Sequence, residues 1–144
     1  VDAKISYSAI RAAFDGDDDI RDYCDEDNSD KTPEGVADDV YEKLLDYEEL
    51  VDGVFKTLMV NEEEVGFVYY FGDVLVSFGV NKAYRDRDFL TSLFEDMKRW
   101  MGGEFITFMW KRNERAIKWF EKCGMKKEDF ELDNVIKLRY KPCQ

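Results

Sequence analysis

Residues 74–110 read VLVSFGVNKAYRDRDFLTSLFEDMKRWMGGEFITFMW, and the order of elements within them decides the fold. Val74–Val80 is rich in β-branched and aromatic residues, the composition of a strand. Phe89, Leu90, Leu93, Phe94, Met97 and Met101 then recur at helical spacing, with Glu95, Asp96 and Lys98 opposite them. That pattern predicts a helix with one apolar face. Gly102 and Gly103 end it, and Phe105–Trp110 is again apolar at strand length. A strand–helix–strand unit with about 25 residues between the strand ends is a right-handed parallel crossover.

Toward the N-terminus, Val54–Val60 and Val65–Phe71 are strand-like, and Asn61–Glu64 and Gly72-Asp73 are short polar separators. With Val74–Val80 these runs predict an antiparallel meander. Further back, Thr32-Pro33-Glu34 reads as a helix start, followed by the stripe Val36, Val40, Leu44 and Tyr47. Lys4–Ser8 is expected to form a short edge strand. Ser6 or Ser8 would then cap a helix through Ala9, Ile10, Ala13 and Phe14. A further helical turn or two carries Ile20, Tyr23 and Cys24, and residues 25–35 read as a polar loop. Toward the C-terminus, a helix from Asn113 to Cys123 turns Ala116, Ile117 and Phe120 inward and stops at Gly124. Two strands flank Asp133-Asn134, the last being Val135–Tyr140. The expected class is α/β: a mixed sheet, in which an antiparallel meander feeds a parallel pair, flanked by helices in one domain over residues 1–144.

The composition supports a sizeable core, with 44% hydrophobic and 15% aromatic residues among 144. The absence of histidine excludes Ser-His-Asp and Cys-His chemistry and histidine zinc motifs. Cys24, Cys123 and Cys143 are widely spaced, so a disulfide framework is not expected and a reducing, cytoplasmic setting is. No signal peptide pattern opens the chain, and no apolar run approaches the ~20 residues that span a bilayer. Residues 1–66 carry 21 acids and 6 bases, whereas residues 67–144 carry 12 acids and 15 bases. The acidic half reads either as a solvated face or as a docking surface for a basic protein, and nucleic acid is not an expected partner. The cluster Lys111, Arg112, Arg115 and Lys118 is suited to one small anion.

Two stretches carry a family resemblance. Asn113-Glu-Arg-Ala-Ile-Lys-Trp-Phe-Glu-Lys-Cys-Gly-Met125 and Val76-Ser-Phe-Gly-Val-Asn-Lys-Ala-Tyr-Arg85, in this order of elements, resemble the GNAT superfamily of acetyl-CoA-dependent N-acetyltransferases. Within it the chain is most similar to divergent acetyltransferase-like proteins of tailed bacteriophages, and a phage origin would imply a host cytoplasm. The resemblance implies a parallel pair splayed into a cleft, acetyl-CoA as cofactor and an amine as acceptor. It also implies roles for particular residues. Backbone groups of Phe78 and Val80, beside a bulge at Gly79, would pair with the pantetheine arm, and Asn113 would contact that arm or simply cap its helix. The diphosphate loop would be Arg85-Asp86-Arg87-Asp88-Phe89-Leu90, in which Arg85 matches while Asp88 and Leu90 stand at the glycine positions.

An aspartate beginning a helix caps it and takes up the amides that a diphosphate needs. Its charge also repels the diphosphate by on the order of 1–4 kcal/mol, which Lys82, Arg85 and Arg87 would partly offset. Phe120 stands where many members of the superfamily carry the tyrosine that protonates the leaving thiolate. Ser77, Thr107 and Tyr140 are candidate substitutes, Glu64 and Asp73 are candidate bases or turn residues, and Cys123 is a small core residue. The expected activity is therefore an acyl-CoA-dependent N-acetyltransferase with a degenerate cofactor loop. Its rivals are a catalytically inactive descendant that binds a host or virion protein, and an acidic decoy.

Overall fold

The computed structural model describes residues 4–17 and 32–142. The readings made for Ile20, Tyr23, Cys24 and residues 25–31 lie outside them. Helices α1 (Tyr7–Phe14) and α2 (Pro33–Leu50) precede the meander β1 (Val54–Val60), β2 (Glu63–Phe71) and β3 (Val74–Val80). Helix α3 (Arg87–Trp100), β4 (Phe105–Trp110), α4 (Glu114–Lys122), β5 (Lys126–Glu128) and β6 (Val135–Tyr140) follow. The sheet runs β1-β2-β3-β4-β6-β5, with β3 and β4 parallel and every other neighbour antiparallel. The expected α/β class and its one parallel pair are both present.

Lys4–Ser8 is not a strand. Ser6 caps α1 by accepting from the Ala9 amide at 3.2 Å, which draws the preceding residues into a helix entry. Ala9, Ile10, Ala13 and Phe14 then bury one stripe. Thr32 caps α2 through the Gly35 amide at 3.1 Å, with Pro33 in the first turn. The hairpin between β1 and β2 bends at Asn61 and Glu62, both with positive φ.

Two apolar layers result. On one face α1 and α2 pack Ile10, Phe14, Ala37 and Leu44 onto Phe67 and Tyr69. On the other face Phe94 and Met97 of α3 and Phe120 of α4 pack onto Val68, Tyr70, Leu75 and Phe105. The interior strand β2 is therefore buried without a break from Val65 to Tyr70, as a strand covered on both faces must be. Gly79 belongs to the first layer. A Cβ there would stand 3.0 Å from the Cβ of Ala13 and 3.1 Å from the Phe67 ring, so its lack of a side chain lets α1 lie close on the sheet.

Glu48 ties α2 to the sheet. It accepts from the Tyr69 hydroxyl, from the Gly53 amide at 3.0 Å and from Lys4 Nζ at 3.2 Å. Partial burial opposes its charge, but the hydrogen bonds from Tyr69, Lys4 and Gly53 outweigh that and hold the carboxyl below its ordinary pKa. A depressed carboxylate contributes stability above the unfolded-state value near ~4.3, and this is lost as pH falls through the folded value. Glu48→Gln should therefore be less stable than the parent at neutral pH, by about 1–3 kcal/mol, with the gap closing below about pH 4. Denaturant unfolding of both proteins across this range checks it.

Candidate functional site

Strands β3 and β4 pair at only two positions, Val74 with Ile106 and Leu75 with Thr107, and then separate. The register of β3 against β2 slips at the same place, where Tyr69 faces Ser77 and Tyr70 faces Leu75. Val76 is thus the extra residue of a β-bulge, which turns β3 away from its parallel neighbour. The bulge expected at Gly79 lies three residues earlier, because Gly79 is held in regular pairing with Phe67 beneath α1. Thr107 closes the point of divergence by donating its hydroxyl to the Leu75 carbonyl at 3.0 Å.

Beyond that point lies a cleft of about 760 Å³. Val40 and Tyr47 of α2 line one end, Ala116 and Trp119 of α4 the other, and Phe108 and Trp110 of β4 run between them. Its walls come from both helical layers, so the opening between β3 and β4 joins the two faces of the sheet. Among the described residues no carboxylate lines it, while Lys43, Arg85 and Arg115 do.

The backbone of β3 along this cleft has a defined orientation. The Val80 carbonyl accepts from Arg85 Nε at 2.8 Å, and the Asn81 amide donates to the Val65 carbonyl at 2.7 Å. Residues of an antiparallel ladder alternate in the direction of their polar groups. Gly79 and Asn81 are therefore turned toward β2, and Phe78 and Val80 direct their N–H and C=O groups into the space β4 has left. Asn113 lines the same cleft. Its side chain makes no capping bond to α4, and its Oδ1 is buried without a hydrogen-bond partner. The side-chain cap is thus absent, and a buried acceptor lies on the cleft wall. These groups fit an extended chain bearing amides.

The start of α3 does not fit a diphosphate. Asp86, not Asp88, is the cap: its extended backbone places Oδ1 2.9 Å from the Phe89 amide, and the helix begins one residue later. Asp88 sits exposed in the first turn. Arg85 lines the cleft, but its guanidinium also donates to Asp17 Oδ2 at 2.6 Å, and that carboxylate is fully buried. Of the residues expected to hold a cofactor, Phe78, Val80, Arg85 and Asn113 line the cleft; Arg87, Asp88 and Phe89 do not. Arg87 is exposed on the surface, and Phe89 packs against the core below α3.

The remaining candidates separate in the same way. Phe120 is wholly buried, with its ring 5.4 Å from that of Phe78, and it does not line the cleft. Ser77 and Thr107 do line it, whereas Tyr140 packs against Phe94 and Phe105. Asp73 lies in the β2–β3 turn and Glu64 on β2, both outside the cleft walls. Burial pushes the Cys123 thiol up, consistent with a core residue at the end of α4. The basic cluster divides: Arg115 lines the main cleft, while Arg112 borders a separate cavity of about 250 Å³ with its Nε and one terminal nitrogen unpartnered. Sequence reading missed the part of the α2 stripe in the cleft. Its residues are apolar at helical spacing and read as core alone.

The sequence matches no protein-family model and no curated protein. The fold does match solved structures. PaiA N-acetyltransferase from Thermoplasma acidophilum, solved with coenzyme A, aligns with a TM-score of 0.58 at 13% identity over 97% of each chain. A Pyrococcus horikoshii protein aligns at 0.64 and 15% identity, covering 99% of this chain and 96% of its own. The GNAT domain of S. lividans PAT aligns at 0.58 and 19%, covering 92% and 84%. At such identities the likeness establishes the fold, which is that of GNAT acetyltransferases. Among the described residues no helix is long and apolar enough to cross a membrane.

Asn113→Ala separates the two roles set for this residue. Loss of a capping bond would cost about 1 kcal/mol, whereas removal of an unpartnered buried acceptor is neutral or stabilising. Thermal and denaturant unfolding should show no loss of stability.

Proposed function

We propose that the chain is a divergent GNAT-fold N-acyltransferase that draws an acyl thioester between β3 and β4 and presents it to an amine entering from the α2 side. The observation that carries this reading is the edge of β3 at Phe78 and Val80, turned into the same cleft as the unpartnered Asn113 Oδ1. An amide-bearing arm laid along that edge adds as a strand and satisfies Asn113. The divergence at Leu75 and Thr107 sets where the arm's reactive end emerges. The α2 wall, formed by Val36, Val40, Leu44 and Tyr47 with Lys43 as its one charged residue, encloses the acceptor and limits water.

Proton transfer is the weak part of this apparatus. Among the described residues no carboxylate lines the cleft, and Phe120 carries no hydroxyl. The amine must therefore enter unprotonated or lose its proton to water. Of the hydroxyl-bearing residues in the cleft, Thr107 already donates to the Leu75 carbonyl, which leaves Ser77 beside the bulge and Tyr47 on the α2 wall. Without a positioned acid, turnover falls by about 10²–10⁴-fold. The same observations favour a second reading, in which the chain is a catalytically inactive GNAT-fold protein that acts by binding a protein partner.

The test is acyl transfer from acetyl-CoA and S-acetyl-pantetheine to a panel of amines, read by mass of the amide product. Slow transfer that rises with pH is expected, and Ala116→Trp, which fills the cleft from α4, should abolish it. Phe120→Tyr should not accelerate it. That hydroxyl would be buried among Phe78, Phe94 and Trp119, lowering stability by about 1–3 kcal/mol. Thioester binding without transfer to any amine would favour the second reading.

A further inference from the structure

We infer that the donor is recognised by its arm alone: the site takes an acylated pantetheine thioester and gains no affinity from a nucleotide diphosphate. This rests on the proposed reading that a thioester enters the cleft, and it names the part of the donor that the protein reads.

The groups that would hold a diphosphate are spent within the chain or faced by carboxylates. Of the first amides of α3, Phe89 donates to Asp86 Oδ1 at 2.9 Å and Leu90 to the Asp86 carbonyl at 3.0 Å. A phosphate approaching the amides of Arg87 and Asp88 meets the exposed carboxylates of Asp86 and Asp88. No residue from Arg85 to Leu90 is glycine, so every position carries a Cβ against close backbone approach. Arg85 gives Nε to the Val80 carbonyl and a terminal nitrogen to Asp17, whose side chain is wholly buried. An internal carboxylate thus stands on the arginine as an anion would. Around the loop Lys82, Arg85 and Arg87 are matched by Asp17, Asp86 and Asp88, which leaves no local excess of positive charge.

The arm site is intact by comparison. Phe78 presents its N–H and C=O and Val80 its N–H to the cleft, while the Val80 carbonyl is held by Arg85; Asn113 offers a buried acceptor, and Ala116 and Trp119 supply an apolar wall. The two halves of a coenzyme A site are therefore uncoupled in this chain: one is open, and the other is filled by the protein's own side chains.

Calorimetric titration of the full chain with S-acetyl-pantetheine, acetyl-4′-phosphopantetheine and acetyl-CoA tests this. The three dissociation constants should agree within about threefold, whereas a working cradle with several charge-assisted hydrogen bonds separates the first from the last by about a hundredfold or more. The phosphopantetheine arm shows whether a single phosphate matters. The double variant Asp86→Asn, Asp88→Asn keeps an amide-capping side chain and removes both charges. It should tighten acetyl-CoA by about tenfold and leave S-acetyl-pantetheine unchanged. Acetyl-CoA binding the parent more than about tenfold tighter than S-acetyl-pantetheine would overturn the inference and leave the thioester reading standing. Failure of all three to bind would overturn both.

Discussion

Two backbone pairings between β3 and β4, at Val74–Ile106 and Leu75–Thr107, hold the halves of this sheet together, and the bulge at Val76 prevents a third. Everything that makes the molecule more than a packed α/β layer follows from that limit. Had the parallel pairing continued, the backbone of Phe78 and Val80 would be satisfied by β4 and no cleft would exist. The hydroxyl of Thr107 closes the last Leu75 carbonyl, so the opening begins without an unsatisfied group at its apex. The two helical layers then have separate duties. The α1 and α2 layer is pinned to the meander through Glu48, Tyr69 and the close approach at Gly79, and α3 and α4 pack around Phe94 and Phe120. Each layer keeps one wall of the cleft in place.

The loop from β3 to α3 spends its polar side chains on the rest of the chain. Asn81 donates to the carbonyls of Ala12 and Asp15, and Arg85 reaches Asp17, so the loop is fastened to the end of α1 from both directions. A buried ion pair contributes little net stability, but removal of one partner strands the other at a cost of several kcal/mol. Arg85 is thereby held to a structural duty. Asp86 does the same for the helix start, because a cap that satisfies the chain's own amides leaves them unavailable to a ligand. The acidity that stands out in the N-terminal half reaches this loop through Asp17, from the end of α1.

The fold was legible because its signals are local and strong. The apolar face of α3, the glycines after it, the strand runs on either side and the turn at Gly72-Asp73 each specify their own element. The orientation of the crossover follows from handedness. Lys4–Ser8 misled because so short a run cannot outweigh the Ser6 cap. The cleft was legible only in part. The family resemblance named Asn113, Phe78 and Val80, which line it, but whether Asn113 caps its helix depends on its dihedral angles. The bulge could not be placed, since a glycine that permits close helix packing and one that marks a bulge look identical in sequence. The sequence reading puts the cap at Asp88, and the turn geometry after Lys82–Tyr84 puts it at Asp86 instead. The pairing of Arg85 with Asp17 joins residues 68 apart, and nothing in composition links them.

The central claim is that the outer edge of β3 is open. Amide hydrogen exchange, resolved residue by residue by NMR, measures it directly. In the free protein the amides of Phe78 and Val80 should exchange fast, while those of Gly79 and Asn81, bonded to β2, are protected, and S-acetyl-pantetheine should slow the first pair selectively. Protection of the Phe78 amide equal to that of Gly79 in the free protein would show the strand edge to be closed, and would contradict the account.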